Sequence, residues 1–287
     1  MRRLTVLGTC GGWPEAGRAG SGFLVEYDGF RLVLDLGYAT FPRLLRYCDG
    51  EAGRVDAVVV THAHPDHCAD LSALSRARYF AADRLAGGAA RGPAQPVPLY
   101  CPPEVVERVQ AMEPSEDLRE VFAVHELPGR YPVGPFLLTG TALPHHVPHS
   151  GVRLTAPGLV LAYTGDAGPA PALAELAAGA DLLVAGATVL PDGPDPDGGT
   201  GGAGTGGDGG DRRYDGPPPQ PELLGAADAG RWAARCGARR LLLTHFWPGG
   251  DRAAWVARAR AGAAESGAAD LDVVAAEEDM VIPLPRP

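Results

Sequence analysis

Short apolar runs alternate with helix-like stretches along most of the chain, and this mixture predicts an α/β sandwich with helices on the outside. Two further observations support it. Several of the apolar runs stop at a His or an Asp, as strands do when they deliver polar side chains to one edge of a sheet. Residues 191–221 are almost wholly Gly, Pro, Asp and Thr, which marks an insertion in an otherwise folded chain rather than a second core.

The elements follow in order. Leu4–Leu7, Phe23–Tyr27 and Arg31–Asp35 read as strands separated by turns at Gly11-Gly12 and Asp28-Gly29. Phe41–Tyr47 reads as a helix, Ala57–Val60 as a buried strand and Ala69–Phe80 as the helix that leaves it. Glu104–Met112 follows as a helix after Cys101-Pro102-Pro103. Phe136–Ala142, Val152–Thr155, Leu159–Tyr163, Asp181–Ala185 and Arg240–Leu243 are strand-like. Pro171–Ala178, Ala226–Cys236 and Ala253–Ala264 are helical. One domain spanning 1–287, interrupted by a disordered insertion at 191–221, is the expected organisation.

Composition narrows the function. The net charge is −10 and there are no basic runs, so nucleic acid is an unlikely partner: phosphate contacts supply most of that affinity. The chain has no lysine, which removes Schiff-base chemistry. Five widely spaced cysteines without a C-x-x-C pair suit a reduced cytoplasmic protein. No apolar stretch approaches the length of a membrane span.

The densest chemistry lies in Thr61-His62-Ala63-His64-Pro65-Asp66-His67, directly after Ala57-Val58-Val59-Val60. Three of the eight histidines and a carboxylate fall within six positions. Imidazole and carboxylate bind zinc, manganese or iron, and an H-x-H-x-D-H loop can offer ligand pairs to two neighbouring metals. Cys68 adjoins the motif but reads as a small buried thiol. Further polar strand ends are Asp35, His145 in Leu143-Pro144-His145-His146-Val147-Pro148-His149, Asp166 in Tyr163-Thr164-Gly165-Asp166, and His245 in Leu242-Leu243-Thr244-His245. His125 reads as a surface strand residue. Phe246-Trp247 reads equally as a cleft wall or as core, and Arg153 as a weak candidate for contact with an anionic substrate.

On these residues the chain resembles the metallo-β-lactamase superfamily, and in particular its ribonuclease Z-like branch. The resemblance implies a four-layer αβ/βα sandwich with two mixed sheets. It implies that His62, His64 and His145 hold one metal, that Asp66, His67 and His245 hold another, that Asp166 bridges them, and that Asp35 orients a ligand. Among His145, His146 and His149 it favours His145, because the ligand in this branch commonly lies six residues before a Gly, here Gly151. His146 and His149 are then expected to line the cleft. Two divalent ions are implied, zinc first, with manganese and iron as alternatives. The expected activity is hydrolysis of a phosphodiester or small ester-like bond by a shared hydroxide, with Asp66 and His146 as candidate catalytic groups. A small-molecule substrate is expected, and the branch implies a homodimer.

Two departures stand out. The family's Glu in an E-A-T strand end is replaced by Gly186 in Val184-Ala185-Gly186-Ala187-Thr188, and Leu223 stands where a His opens the later helix. These two side chains act near the leaving group in the family, so tRNA processing is not expected. A metal-binding regulatory or scaffold protein on the same fold is the alternative reading.

Overall fold

The computed structural model describes residues 1–85, 95–113, 117–188 and 222–285. The predicted insertion at 191–221 lies outside the described residues.

The first sheet contains β1 (Arg2–Gly8), β2 (Gly22–Tyr27), β3 (Phe30–Leu36), β4 (Ala57–Val59), β5 (Val97–Cys101) and β6 (Phe122–Glu126). The second contains β7 (Arg130–Val133), β8 (Phe136–Ala142), β9 (Ser150–Ala156), β10 (Leu159–Tyr163), β11 (Leu182–Gly186), β12 (Arg240–Thr244) and β13 (Asp272–Ala275). The chain then returns as β14 (Val281–Pro283) to pair with β1, making both sheets seven-stranded. Both sheets are mixed: β1–β3 pair antiparallel and β3–β6 parallel, while β7–β10 pair antiparallel and β10–β13 parallel.

Alternation along each strand builds the layers, because successive side chains point to opposite faces. Leu4, Val6, Phe23, Val25, Leu32 and Leu34 face a central core shared with Leu154, Leu161 and Tyr163 of the second sheet. Leu7, Leu24, Val33 and Val58 point the other way. They pack with Leu44 of α1 (Phe41–Tyr47), Cys68 of α2 (Pro65–Cys68), Leu71 and Leu74 of α3 (Asp70–Leu85) and Val105 of α4 (Pro103–Met112). On the far side, Leu183, Leu241 and Leu243 pack against α6 (Ala172–Leu176), α7 (Ala226–Arg235) and α8 (Arg252–Glu265), a single-turn α5 (Leu118–Val121) having closed the first half. Three cores separated by two sheets give the four-layer αβ/βα sandwich.

Elements with strong apolar periodicity fall where the sequence places them; β8 and β10 match to the residue. The strands that the sequence reading passed over are short, and β5, β7 and β14 each carry a proline. Proline lacks the N–H that a ladder needs, so its presence argues against a strand. Here β7 and β14 lie at sheet edges, where a missing donor goes unused. Arg239 and Arg240, at the start of β12, pair with Asp181 and Asp272. Asp28 and Gly29 join β2 to β3 with positive φ at both positions, the backbone a two-residue hairpin turn requires.

The outer helices of the second half meet through glycines. A Cβ on Gly230 of α7 would stand 1.9 Å from the carbonyl oxygen of Ala259, and one on Gly262 of α8 would stand 2.0 Å from that of Ala227. Neither gap admits a methyl group without separating the helices. Gly230→Ala is expected to destabilise the fold by about 1–3 kcal/mol, the range for overpacking a close contact. Urea unfolding followed by circular dichroism measures it, and an unchanged midpoint would show that the helices part freely.

Candidate metal centre

The seven predicted ligands arrive from both halves of the sandwich at one edge. His62, His64, Asp66 and His67 come from the turn between β4 and α2 and from α2 itself. His145 comes from the β8–β9 connection, Asp166 follows β10, and His245 follows β12. They form two groups whose donor atoms lie within 4.8 Å of one another. One contains His62, His64, His145 and Asp166, and the other contains Asp66, His67, Asp166 and His245. Asp166 belongs to both.

The distances suit metal ligation. His64 Nδ1 stands 3.0 Å from His62 Nε2 and 3.1 Å from His145 Nε2. In the second group His67 Nε2 is 3.1 Å from Asp166 Oδ1, and His245 Nε2 is 2.9 Å from Asp166 Oδ2 and 3.1 Å from Asp66 Oδ2. Two nitrogens on one tetrahedral zinc sit roughly 3.3 Å apart, given bonds of about 2.0–2.1 Å. His67 Nε2 and Asp166 Oδ1 are buried without a hydrogen-bond partner, as donor atoms kept for an ion would be. The residues therefore fit two divalent ions.

Each orienting contact is made by the opposite ring nitrogen. His67 Nδ1 lies 2.7 Å from Asp35 Oδ2, and His245 Nδ1 lies 2.8 Å from Thr188 Oγ1. His62 Nδ1 meets Thr61 Oγ1 at 3.0 Å, and that hydroxyl donates to Asp35 Oδ2 at 3.0 Å. Asp35 is fully buried and also accepts from the Thr61 N–H at 2.7 Å and the Tyr163 hydroxyl at 2.8 Å. Asp35 and His245 both hold left-handed backbone, φ 55° and 59°, which costs free energy at a residue with a Cβ and which their packed surroundings maintain.

Charge divides the histidines. Burial pushes His62 and His64 down, and it pushes His145 down to about 4, so these three are neutral imidazoles ready to bind metal at neutral pH. His245 also feels the burial penalty, but Asp166 and Asp66 outweigh it and lift the group to about 9. His67 is raised in the same way by Asp166, Asp66 and Asp35 against its burial. Asp166 and Asp66, despite burial, stay well below the usual carboxylate range because of these two imidazolium neighbours.

Other predicted positions separate. His146 is 58% exposed on the side chain, and its Nδ1 forms a close ion pair with Glu222 Oε2. Its ring lies 5.3 Å from that of His145. His149 is buried, and its ring packs 5.1 Å from His62 and 5.4 Å from His145; with His145 and His146 it also lines the cavity at this edge. Arg153 donates to the Leu176 carbonyl at 2.8 Å, so the structure ties it to α6 rather than offering it to an anion. Phe246 is core, whereas Trp247 stays partly exposed. Cys68 is a buried thiol pushed up to about 12 by burial, and it belongs to neither ligand group. His125 lies on β6, stacked on Tyr100. Thr188 closes the run that matches the family's E-A-T strand end, although its contact with His245 was not foreseen; Glu222, a carboxylate beside a Gly/Pro-rich stretch, carries no signal of its own.

The sequence profile of the beta-lactamase superfamily domain matches residues 35–246, which take in both ligand groups. The chain belongs to the metallo-β-lactamase superfamily. Within the superfamily, it is 28% identical to the probable metallo-hydrolase YhfI of Bacillus subtilis over 85% of this chain and 86% of that one. The crystal structure of YhfI superposes with a TM-score of 0.74 at 23% identity, covering 98% of both chains. The ribonuclease Z of Kineococcus radiotolerans is 28% identical over 95% of each chain. No helix among the described residues is long and apolar enough to cross a membrane.

Two outcomes are expected. Loading metal-free protein with zinc at pH 7 should release protons, those of His67 and His245 among them, because ligands bind deprotonated. Apparent affinity should therefore fall as pH drops from 8 to 6; calorimetry in buffers of different ionisation enthalpy reads both. Asp166→Ala, which removes the shared ligand, should lower bound metal from about two ions per chain to one or none by mass spectrometry. Undiminished metal in that variant would refute the bridged arrangement.

Proposed function

We propose that the protein is a dinuclear metal-dependent hydrolase acting on a phosphodiester or small ester-like bond. The observation that carries this reading is the sharing of Asp166 by two convergent donor groups at one edge of the sandwich. His62, His64, His145 and Asp166 would hold one divalent ion and Asp66, His67, Asp166 and His245 the other, zinc being favoured by the His-rich donor set; such ions would supply Lewis acidity toward a phosphoryl or carbonyl group and toward water.

The remaining steps belong to the chain. Asp66 stays ionised and is held by the Gly12 N–H, which donates to its Oδ2 at 2.7 Å, and by the Ser21 N–H, which donates to its carbonyl at 2.8 Å. That grip suits the orientation of the attacking water. His146, beside the ligand His145 and paired with Glu222, is the group placed to hand a proton to the departing oxygen. The positions expected from the family for this task do not supply it. A Cβ on Gly186 would stand 2.7 Å from the Gly165 carbonyl oxygen, so a longer residue has no room on this backbone. Glu222 comes instead from the stretch leading into α7.

An open cavity of about 460 Å³ is lined by His145, His146 and His149 and walled otherwise by apolar side chains such as Leu127, Pro128, Leu143, Pro144 and Val147, with no Asp, Glu or Arg among them. An uncharged substrate portion fits it better than a nucleic-acid backbone does, and the net charge of −10 agrees. Ribonuclease Z among the relatives keeps an RNA substrate as the competing outcome of a substrate screen. The His146–Glu222 pair favours turnover over the scaffold reading, since a metal-binding scaffold has no use for a proton donor at the cleft.

Metal-loaded protein should hydrolyse bis(p-nitrophenyl) phosphate, and inertness across phosphodiester, ester and lactone panels would sink the reading. His146→Ala should leave metal content unchanged and reduce kcat on a substrate with a poor alkoxide leaving group by about 10²-fold or more. A nitrophenolate leaving group, which needs no proton, should be nearly unaffected. Glu222→Gln should follow the same pattern more weakly.

A further inference from the structure

Trp13 is 54% exposed, although indole is among the most costly side chains to leave in water. It is not on a loose loop. The Gly11 N–H donates to the Phe246 carbonyl at 2.9 Å, the Phe246 N–H donates to the Thr9 carbonyl at 2.9 Å, and the Gly249 N–H donates to Glu15 at 2.9 Å. These bonds clamp the segment after β1 to the segment after β12. The clamp brings Trp13 against Trp247, ring centroids 5.2 Å apart at 47°.

The pair stands at the metal centre. Trp13 follows Gly12, whose N–H is 2.7 Å from Asp66 Oδ2, and Trp247 lies two residues beyond His245. A Cβ on Gly11 would touch the His245 ring at 2.6 Å, and one on Gly12 would touch the Trp247 ring at 2.9 Å. The absence of side chains at both positions is what lets this backbone pass between the His245 and Trp247 rings. Through Gly12 and His245 the aromatic pair is tied to the Asp66–His67–Asp166–His245 group, whereas His146 packs on His145 of the other group.

We propose that Trp13 and Trp247 form a stacking platform for a flat aromatic ring carried by the part of the ester that stays bound after cleavage. This rests on the hydrolase reading for its orientation: the leaving oxygen departs toward His146, and the retained portion faces the tryptophans. Preorganised indoles bind flat rings by stacking at little entropic cost, and an alicyclic ring of the same size gains less.

The test is calorimetric titration of the metal-loaded full chain with phenylphosphonate and with cyclohexylphosphonate, which share the metal-binding anion and differ in the ring. Phenylphosphonate should bind at least about fivefold tighter, the lower end of what base–aromatic stacking supplies. Trp13→Phe should keep the preference and Trp13→Leu should bring the two affinities together, both with full metal content; the exposed position makes either variant safe to fold. Equal binding in the wild type, binding of neither phosphonate, or a preference that survives Trp13→Leu overturns the platform. So does a switch from dimer to monomer on sedimentation of Trp13→Leu with ring preference intact, which assigns the tryptophans to a subunit interface. The outcome is separable from the hydrolase reading: ring preference without ester turnover retains the platform and rejects the activity, and turnover without preference does the reverse.

Discussion

The carboxylate of Asp35 is the point on which the centre depends. It is fully buried and accepts from four donors: the Thr61 N–H, the Thr61 hydroxyl, the His67 ring and the Tyr163 hydroxyl. A buried charge without such partners would be strongly destabilising, so the four donors and the acceptor fix one another. The donors come from both sheets. Thr61 and His67 belong to the β4–α2 turn and α2, whereas Tyr163 ends β10. One carboxylate therefore orients the His67 ring, anchors the turn that carries four candidate ligands, and ties the two sheets at the edge where metals would sit.

The sharing of ligands between halves follows from the topology. In each sheet the parallel strands end at the same edge, and the loops after β4, β10 and β12 open there. The first half supplies His62, His64, Asp66 and His67, and the second supplies His145, Asp166 and His245. Neither ligand group is complete within one sheet. The left-handed backbone at Asp35 and His245 shows where the chain was bent to bring them in.

Much of this was legible in the sequence, for a physical reason. His62 to His67 lie within one turn, so their spacing alone exposes them. Asp166 and His245 are found because a strand must end in something polar to reach the cleft. The central strands were legible because a strand buried on both faces reads as a continuous apolar run. Edge strands such as β7 and β14 were not, since a short run broken by proline lacks that pattern. Glu222 and the clamp that carries Trp13 were equally silent. Their roles arise only when distant segments meet, and neither residue sits in a periodic pattern that points to its partner.

The pairing of β14 with β1 has a consequence for how the molecule is made. The Val6 N–H donates to the Met280 carbonyl and the Leu284 N–H donates to the Arg2 carbonyl, joining segments more than 270 residues apart. Until the ribosome has released residue 283, β1 presents an unpaired edge. Such an edge is a template for strands of other nascent chains. The antiparallel β1–β2–β3 meander is local and can form early, but its outermost strand waits longest for its neighbour. Synthesis therefore leaves the first strand guarded only by its basic start, Arg2-Arg3, until the last one arrives.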